Sequence, residues 1–216
     1  MKTTSSATSP RCAADSRSAA DAEPLGVPAL FALMRRQHGV ASVRQARAAG
    51  VSRSVQRRLL GEGAVLEPLP GVLAVGGAPP TFAAQAMAAS LLPGVLAVSH
   101  GAAARLHRLA GFGEHDHIDV VGERGSHLHP PRPIVGHYSR GPLQDDVVHI
   151  GAIPVTSLAL TLVLIAAAAP EQRTAQALDD ALGRGLPVAR IRLLTTQWRR
   201  QGRSGAPQLL ALLPAP

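Results

Sequence analysis

The chain has 216 residues, which is enough for one ordinary domain or for a small domain followed by a medium one. Its formal net charge at pH 7 is +8, and its single cysteine excludes an internal disulfide and a zinc site built on several cysteines. Only five side chains are aromatic, so we expect a core of alanine, valine and leucine.

The positive charge is concentrated in two parts of the sequence. Residues 28–63 hold seven arginines and one acidic residue, residues 64–183 hold six arginines and ten acidic residues, and residues 184–216 hold six arginines and no acidic residue. Concentrated positive charge is typical of proteins that bind polyanions such as nucleic acid. The alternative is a well-solvated basic surface, which the charge alone does not exclude.

Two segments bear on where the protein resides. Residues 1–27 are rich in serine, alanine and threonine and lack the apolar stretch of a secretory signal, so we predict a disordered leader. The longest uncharged apolar run, residues 155–169, has fifteen residues and ends at Pro170. A membrane-spanning helix needs about 20 residues, so this run predicts a buried core helix. We therefore expect a cytoplasmic protein without a membrane segment.

The first predicted elements are three helices and a β-hairpin. The helices cover 28–39, 43–49 and 53–63, and two strands cover 64–77. Ser42 and Ser52 stand where they can cap the second and third helices, Gly50 ends the second, and Pro70 opens the hairpin turn. This order predicts a winged helix-turn-helix over residues 28–78.

The rest of the chain alternates short strands with helices and then becomes helical. The predicted elements are helix 81–92, strand 94–100, helix 100–111, strands 117–122 and 133–139, and helices 157–169, 171–184, 187–201 and 206–213. The fold class predicted for the whole chain is α+β. The winged helix-turn-helix is followed by a mixed α/β domain over 79–213 that ends in helices.

The spacing within residues 43–59 fits a helix-turn-helix. Gly50 tolerates the positive φ that the turn needs, and Ala46 is small enough for close approach of the two helices. If the third helix enters the major groove, its N-terminal part faces base edges. The side chains predicted to read bases are Ser52, Arg53, Ser54, Gln56 and Arg57.

Arginine can pair with guanine and glutamine with adenine, whereas contacts to phosphate supply affinity without sequence choice. The arginines predicted to contact phosphate are Arg35, Arg36, Arg44, Arg47 and Arg58. The hairpin tip at Leu69–Gly71 has no basic residue, so we expect no contact there with the minor groove. A helical hairpin with solvated arginines remains the alternative.

The stretch "RQHGVASVRQARAAGVSRSVQRRLLGEGAVLEPLPGVLAVGG", residues 36–77, resembles the N-terminal winged helix of the AbiEi antitoxin family. That family includes the repressor-antitoxins of type IV toxin–antitoxin systems. Residues 95–111 and 134–166 are similar to the middle region of many actinobacterial proteins with this N-terminus. The resemblance covers roughly 28–213.

The sequence departs from these relatives in two places. Many of them carry a further C-terminal domain resembling very-short-patch-repair endonucleases, for which we expect no counterpart here. They also commonly read Pro-Val-Thr-x-Pro-x-Arg-Thr-Leu-x-Asp where this chain reads "PVTSLALTLVL". Leu158, Leu160 and Leu164 replace the usual proline, arginine and aspartate. Losing both charges together avoids an unpaired buried charge.

The resemblance implies a non-catalytic, DNA-binding regulator of the antitoxin type. Its winged helix would bind double-stranded DNA at promoter repeats, and its C-terminal part would neutralise a nucleotidyltransferase toxin. Paired DNA sites are expected if the protein forms a homodimer. Two alternatives stay open: a protein-interaction module that neutralises a partner, and a truncated, inactive relative of a repair-type endonuclease.

A histidine-rich stretch is a second place where chemistry could arise. Alternate residues of a strand face the same side, so several of these side chains could converge on a metal ion. A strand edge followed by an exposed loop is the interpretation that we favour, and we expect no metal or other cofactor. The stretch contains His115, His117, Asp119, His127, His129 and His137.

Two catalytic patterns are considered and set aside. Asp119 and Glu123 lack the lysine that a restriction-type nuclease site needs, since Lys2 is the only lysine. Ser99 and His100 are adjacent and lack a nucleophile elbow, so we expect a helix cap and a packed histidine. We therefore predict no catalytic residues and no enzyme activity.

The C-terminal arginines surround the only tryptophan, Trp198. They could contact further phosphates, an acidic face of a toxin, or solvent alone. These arginines are Arg190, Arg192, Arg199, Arg200 and Arg203.

Overall fold

The computed structural model describes residues 25–77, 79–114, 117–126, 128–139, 143–199 and 205–214. The fold is mixed α+β, as the sequence predicts. The helices are α1 (Val27–Arg36), α2 (Val43–Ala48), α3 (Arg53–Gly61), α4 (Phe82–Ser90), α5 (His100–Leu106), α6 (Leu158–Ile165), α7 (Glu171–Gly183), α8 (Val188–Arg199) and α9 (Gly205–Leu212). The strands are β1 (Val40–Ser42), β2 (Val65–Leu69), β3 (Val72–Val75), β4 (Ala97–Val98), β5 (Ile118–Glu123), β6 (Ile134–Ser139), β7 (Val147–Ile150) and β8 (Ile153–Thr156).

The N-terminal part places α1, α2 and α3 against a three-stranded antiparallel sheet of order β1-β3-β2. The helices and the hairpin predicted for this part are present. The sequence does not indicate β1, because three residues are too few to give a pattern. Its Val40 lies opposite Ala74 of β3. Leu30, Met34 and Leu73 are buried in the core of this part.

Serine side chains cap the starts of α2 and α3. The Ser42 side chain accepts from the backbone N–H of Gln45, whose own side chain accepts from the backbone N–H of Ser42. This reciprocal pair is a capping box. Ser52 accepts from Val55 N at 3.4 Å at the start of α3.

The second sheet has five strands in the order β6-β5-β4-β8-β7. Its pairs are mixed: β5 with β6 and β4 with β8 are parallel, whereas β4 with β5 and β7 with β8 are antiparallel. The sequence does not indicate β7, which has four residues, or β8, in which Pro154 argues against a strand in the interior of a sheet. β8 tolerates this proline because its pairing with β4 is confined to Val155 and Val98.

The two parts share apolar contacts. Val40 and Val72 of the N-terminal sheet pack in one cluster with Ala86 of α4 and Ile153 of β8. A further cluster joins α5 through α9, with Leu160 and Leu164 of α6 fully buried at its centre.

The prediction that the apolar run at 155–169 forms a buried core helix is confirmed for the middle of the run, which is α6, whereas Val155 and Thr156 belong to β8 and residues 167–169 follow the helix. Residues 159–166 are all buried in α6 and the turn that follows it. No helix in the described ranges is both long enough and apolar enough to cross a membrane.

One other prediction turns out differently, and another lies outside the described residues. Ser99 precedes α5, but its hydroxyl does not cap the helix and instead lies 3.0 Å from Nδ1 of His100. The predicted leader falls almost wholly on residues 1–24, outside the described residues, and α1 begins at Val27.

Candidate nucleic-acid interface

The connection between α2 and α3 is a tight turn at Gly50. Gly50 has a φ of 84°, which a side chain would strain, and Val51 N donates to Ala46 O at 3.0 Å. Ala46 is fully buried. The turn therefore holds the start of α3 firmly against α2.

The two faces of α3 differ sharply. Leu59 is buried and Val55 packs against the same core, so this face is directed inward. The opposite face is exposed and carries no acidic residue in its first turn. The predicted DNA-contacting side chains that are exposed on α2, α3 and the turn are Arg44, Arg47, Ser52, Arg53, Ser54, Arg57 and Arg58.

Most of these arginines have no ionic partner in the part of the chain that the structure describes. Arg58 is the exception, since its Nε lies 3.6 Å from the Glu62 carboxylate one turn later on α3. Among the described residues, no carboxylate lies within 4.0 Å of the guanidinium groups of Arg44, Arg47, Arg53 or Arg57. Their charge is therefore available to an external anion.

Gln56 departs from the prediction that it reads a base. Its side chain is only 6% exposed, and its Nε2 donates to the backbone oxygen of Val51 at 2.9 Å. The reason is its place on α3, where it follows Val55 and precedes Leu59 by three residues, and so lies on the inward face. This bond holds Gln56 to the turn, and the small part of the side chain that stays accessible lines the groove between the helices and the hairpin.

A shallow groove of about 350 Å³ lies between the two helices and the hairpin. Its charged walls are Arg47 of α2, Arg53 and Arg57 of α3, and Glu67 of β2. Val43, Leu60 and Leu73 supply apolar surface. The groove thus gathers three guanidinium groups from two helices around one opening.

The hairpin side of this groove is not basic. Residues 64–77 contain one charged residue, Glu67, whose Oε1 accepts from the backbone N–H of Gly71 at 2.8 Å. Gly71 has a φ of 74°, as the turn requires. The hairpin therefore adds a fixed carboxylate, not a cation, to the rim.

The C-terminal arginines are placed differently. Arg190 donates to Asp146 Oδ1 at 2.6 Å, and Arg192 donates to the backbone oxygen of Pro214. Arg184 bonds both Asp180 and the backbone oxygens of residues 107 and 108 at the end of α5. Arg200 and Arg203 lie outside the described residues.

A cluster of polar side chains lies around Asp119 of β5. The buried Asp119 carboxylate accepts from Nε2 of His137 at 2.9 Å, and Nε2 of His117 lies 3.4 Å from the same oxygen. The His137 ring stacks on the buried His100 ring at 3.8 Å. The expected packing of His100 is therefore confirmed.

The described residues contain no group of three or more histidine, cysteine, aspartate or glutamate side chains arranged to hold a metal ion. His115 and His127, two members of the histidine-rich stretch, fall outside those residues. His129 is exposed.

The pKa of His107 is shifted by its surroundings. Burial lowers its pKa below the ordinary value of 6.5, a hydrogen bond to the Thr156 carbonyl opposes the shift, and the charge of Arg184 lowers it further. The Nε2–Thr156 O distance is 2.8 Å. Because the carbonyl only accepts, Nε2 of the neutral ring carries the hydrogen.

No family model and no curated protein matches this sequence. Among solved structures, the fold is similar to that of the RV2827C protein from Mycobacterium tuberculosis, with a TM-score of 0.50. The sequence identity is 17%, and the match covers 87% of this chain and 80% of that chain. At this identity the likeness concerns the fold alone.

Proposed function

We propose that this protein is a non-catalytic, DNA-binding regulator of the AbiEi antitoxin kind, with residues 28–78 acting as a winged helix-turn-helix. The observation that carries the proposal is the groove into which Arg47, Arg53 and Arg57 project without an ionic partner among the described residues. Unpaired guanidinium groups on two adjacent helices are well suited to a phosphate backbone and to guanine edges.

In this proposal the start of α3 enters the major groove. Arg53 and Arg57 are four residues apart, so they project from one face of the helix about one turn apart. Both would pair with guanine edges, with Ser54 beside them. Gln56 is left out of base reading, because its amide is already bonded to Val51.

The remaining exposed arginines would contact phosphates. Arg44 and Arg47 project from α2, which crosses the backbone in a helix-turn-helix complex. Arg58 reaches the same backbone only by giving up its weak, exposed ion pair with Glu62. These contacts supply affinity and register but no choice of sequence.

The test is a binding titration with DNA from the region upstream of the protein's own gene, at two salt concentrations. We expect the wild type to select one fragment over competitor DNA, with a log–log salt slope of about −4 for four or five phosphate contacts. Arg53→Ala and Arg57→Ala should each weaken the selected complex by about 1–3 kcal/mol and relax the choice of sequence.

Arg124→Ala is the matched control, because it removes one exposed arginine from the connection between β5 and β6 and leaves α3 intact. Its affinity for the selected fragment should stay close to that of the wild type. Binding that is absent, or equal on every fragment and indifferent to Arg53 and Arg57, would overturn the proposal.

The protein partner proposed for the second region, residues 79–213, is a nucleotidyltransferase toxin. The support for this part is the resemblance over 95–111 and 134–166. Co-expression with a nucleotidyltransferase encoded beside the gene should relieve growth inhibition. Unrelieved inhibition would remove the antitoxin part of the proposal and leave the DNA-binding part standing.

A further inference from the structure

Glu67 is the one charged residue of the hairpin, and its position is unexpected for a surface that binds DNA. It lines the same groove as Arg47, Arg53 and Arg57, on the opposite wall. A carboxylate at this place repels the phosphates that the three arginines attract. The groove thus combines an attractive wall and a repulsive wall.

The Glu67 carboxylate is held in place by the backbone. Its Oε1 accepts from the N–H of Gly71 at 2.8 Å, which ties the side chain to the hairpin turn. A glutamate on an exposed strand would otherwise swing into solvent as a phosphate approached. The hydrogen bond limits that escape.

Glu67 does not neutralise the arginines across the groove. No arginine of the described residues lies within 4.0 Å of its carboxylate, whereas Glu62 does pair with Arg58. Its negative charge is therefore available to act on a ligand. An ion pair with Arg53 or Arg57 would have cancelled both charges.

The consequence differs between two ways of binding DNA. When Arg53 and Arg57 pair with base edges, Arg47 is the one groove arginine left to hold phosphate, and the carboxylate on the opposite wall costs little. When DNA lies on the surface without reading bases, its phosphates settle into the arginine-lined groove and meet the carboxylate. Sequence-independent binding is mostly phosphate contact, so it bears the larger penalty.

We propose that Glu67 is a specificity-determining side chain that weakens sequence-independent binding by repelling phosphate from the hairpin side of the groove. This inference rests on the proposed function, since it assigns a role within the same DNA-binding surface. Glu67 would affect the ratio between affinity for the selected fragment and affinity for other DNA, and it would add no contact to the selected complex.

The test compares Glu67→Gln with the wild type on a random-sequence duplex and on the selected upstream fragment. Glutamine keeps an oxygen that accepts from Gly71 N and removes only the charge. We expect affinity for the random duplex to rise about threefold at low salt, the size of the repulsion between unit charges about 6 Å apart in water. The gain should shrink as salt rises, and affinity for the selected fragment should change less than twofold.

Two further variants complete the experiment. Glu62→Gln removes a carboxylate from the end of α3, outside the groove, and should leave the ratio of the two affinities unchanged. Glu67→Lys reverses the charge and should raise affinity for the random duplex by about tenfold. Urea unfolding of each variant verifies that the fold is kept.

The inference is overturned if Glu67→Gln weakens the selected complex, which would make Glu67 a base-reading residue. Equal effects of Glu67→Gln and Glu62→Gln on the ratio of the two affinities would overturn it too, because net charge alone would then explain the change in ratio. If the wild type binds the random duplex but selects no fragment, the regulator proposal fails. In that case, the affinities of Glu67→Gln and the wild type for the random duplex still show whether Glu67 weakens phosphate binding.

Discussion

The two arginine-rich parts of the chain, residues 28–63 and residues 184–199, use their charge in opposite ways. In the first part, Arg53 and Arg57 face an open groove with no ionic partner among the described residues. In the second, Arg184 and Arg190 are bonded to carboxylates of the protein itself. A count of charges along the sequence does not distinguish arginines of a binding surface from arginines that form ion pairs within the protein.

The difference arises from what each part packs against. The helices α2 and α3 lie beside a hairpin with a single acidic residue, so their arginines meet few carboxylates. The helix α8 packs against α6 and α9, and Asp146 reaches its Arg190 from a point 44 residues earlier in the chain. Among the described residues, aspartates of the acidic middle of the chain, 64–183, thus pair with arginines of the C-terminal part and not with those of residues 28–63.

The largest effect on stability is expected from Arg190→Ala. The Asp146 carboxylate is 10% exposed and Arg190 is 42% exposed, so removing the arginine leaves a nearly buried charge unpaired. We expect the free energy of unfolding to fall by about 2 kcal/mol, below the 3–5 kcal/mol of a fully buried pair because solvent reaches the arginine. Urea unfolding measures it.

Arg57→Ala is the matched control for this prediction, and it should change the free energy of unfolding by less than about 0.5 kcal/mol. A loss of stability as large as that of Arg190→Ala would show that the N-terminal arginines are also structural. The contrast between the two regions would then be wrong.

The next largest effect on stability tests whether Gln56 belongs to the inward side chains of α3. Gln56→Met should lower the free energy of unfolding by about 1–2 kcal/mol, because the Val51 carbonyl loses its buried donor. The base preference measured with a library of DNA duplexes should not change. A shifted preference with unaltered stability would return Gln56 to the base-reading set.

A smaller effect is expected from the arginines assigned to phosphate. Arg44→Ala and Arg47→Ala should each reduce the magnitude of the log–log salt slope by about 1 and weaken all duplexes alike. Arg192→Ala, whose guanidinium already donates to Pro214 O, is the comparison. Fluorescence anisotropy between 50 and 200 mM salt, an ordinary range for such titrations, measures the slopes. An equal change for Arg192→Ala would extend the DNA surface to the C-terminal region.

The smallest effect concerns His107, which lies beside Arg184. Its pKa is lowered in the folded protein, chiefly by burial, so the unfolded chain takes up a proton at higher pH. This contribution to stability is complete above the unfolded pKa of about 6.5 and is lost as pH falls below it toward the lowered folded pKa. The urea midpoint should therefore fall between pH 7.5 and pH 5.5, a range around that pKa.

His107→Gln supplies the reference, because it keeps an N–H donor for Thr156 O and cannot titrate. The decline in midpoint should be smaller in this variant than in the wild type. Identical declines would assign the pH dependence to other groups.

Much of the local structure could be predicted, and the reasons are chemical. Ser42 and Ser52 marked the starts of α2 and α3, and Gly50 marked the turn between them. The elements that were missed, β1, β7 and β8, have three or four residues each. Strands that short gain their stability from neighbours in a sheet, which a sequence pattern does not contain.

The candidate site was predicted less completely. The exposed arginines of α2 and α3 were identified, whereas Glu67 and the inward Gln56 were not. Helical spacing places Gln56 near the inward residues Val55 and Leu59. The inward orientation of Gln56 could therefore have been predicted from the sequence. The groove position of Glu67 had no such signal, because it depends on how the hairpin folds back beside α3.

The sequence by itself determined the local features of this protein: capped helices, a glycine turn, a buried apolar α6 and a concentration of arginine near the N-terminus. Each depends on residues close together in the chain. Only the tertiary structure decided which arginines have an ionic partner among the described residues, because the carboxylate that pairs with a guanidinium can come from a distant segment, as Asp146 does for Arg190. Packing determines whether an arginine forms an ion pair within the fold or faces a ligand, because packing brings together residues that are far apart in the sequence.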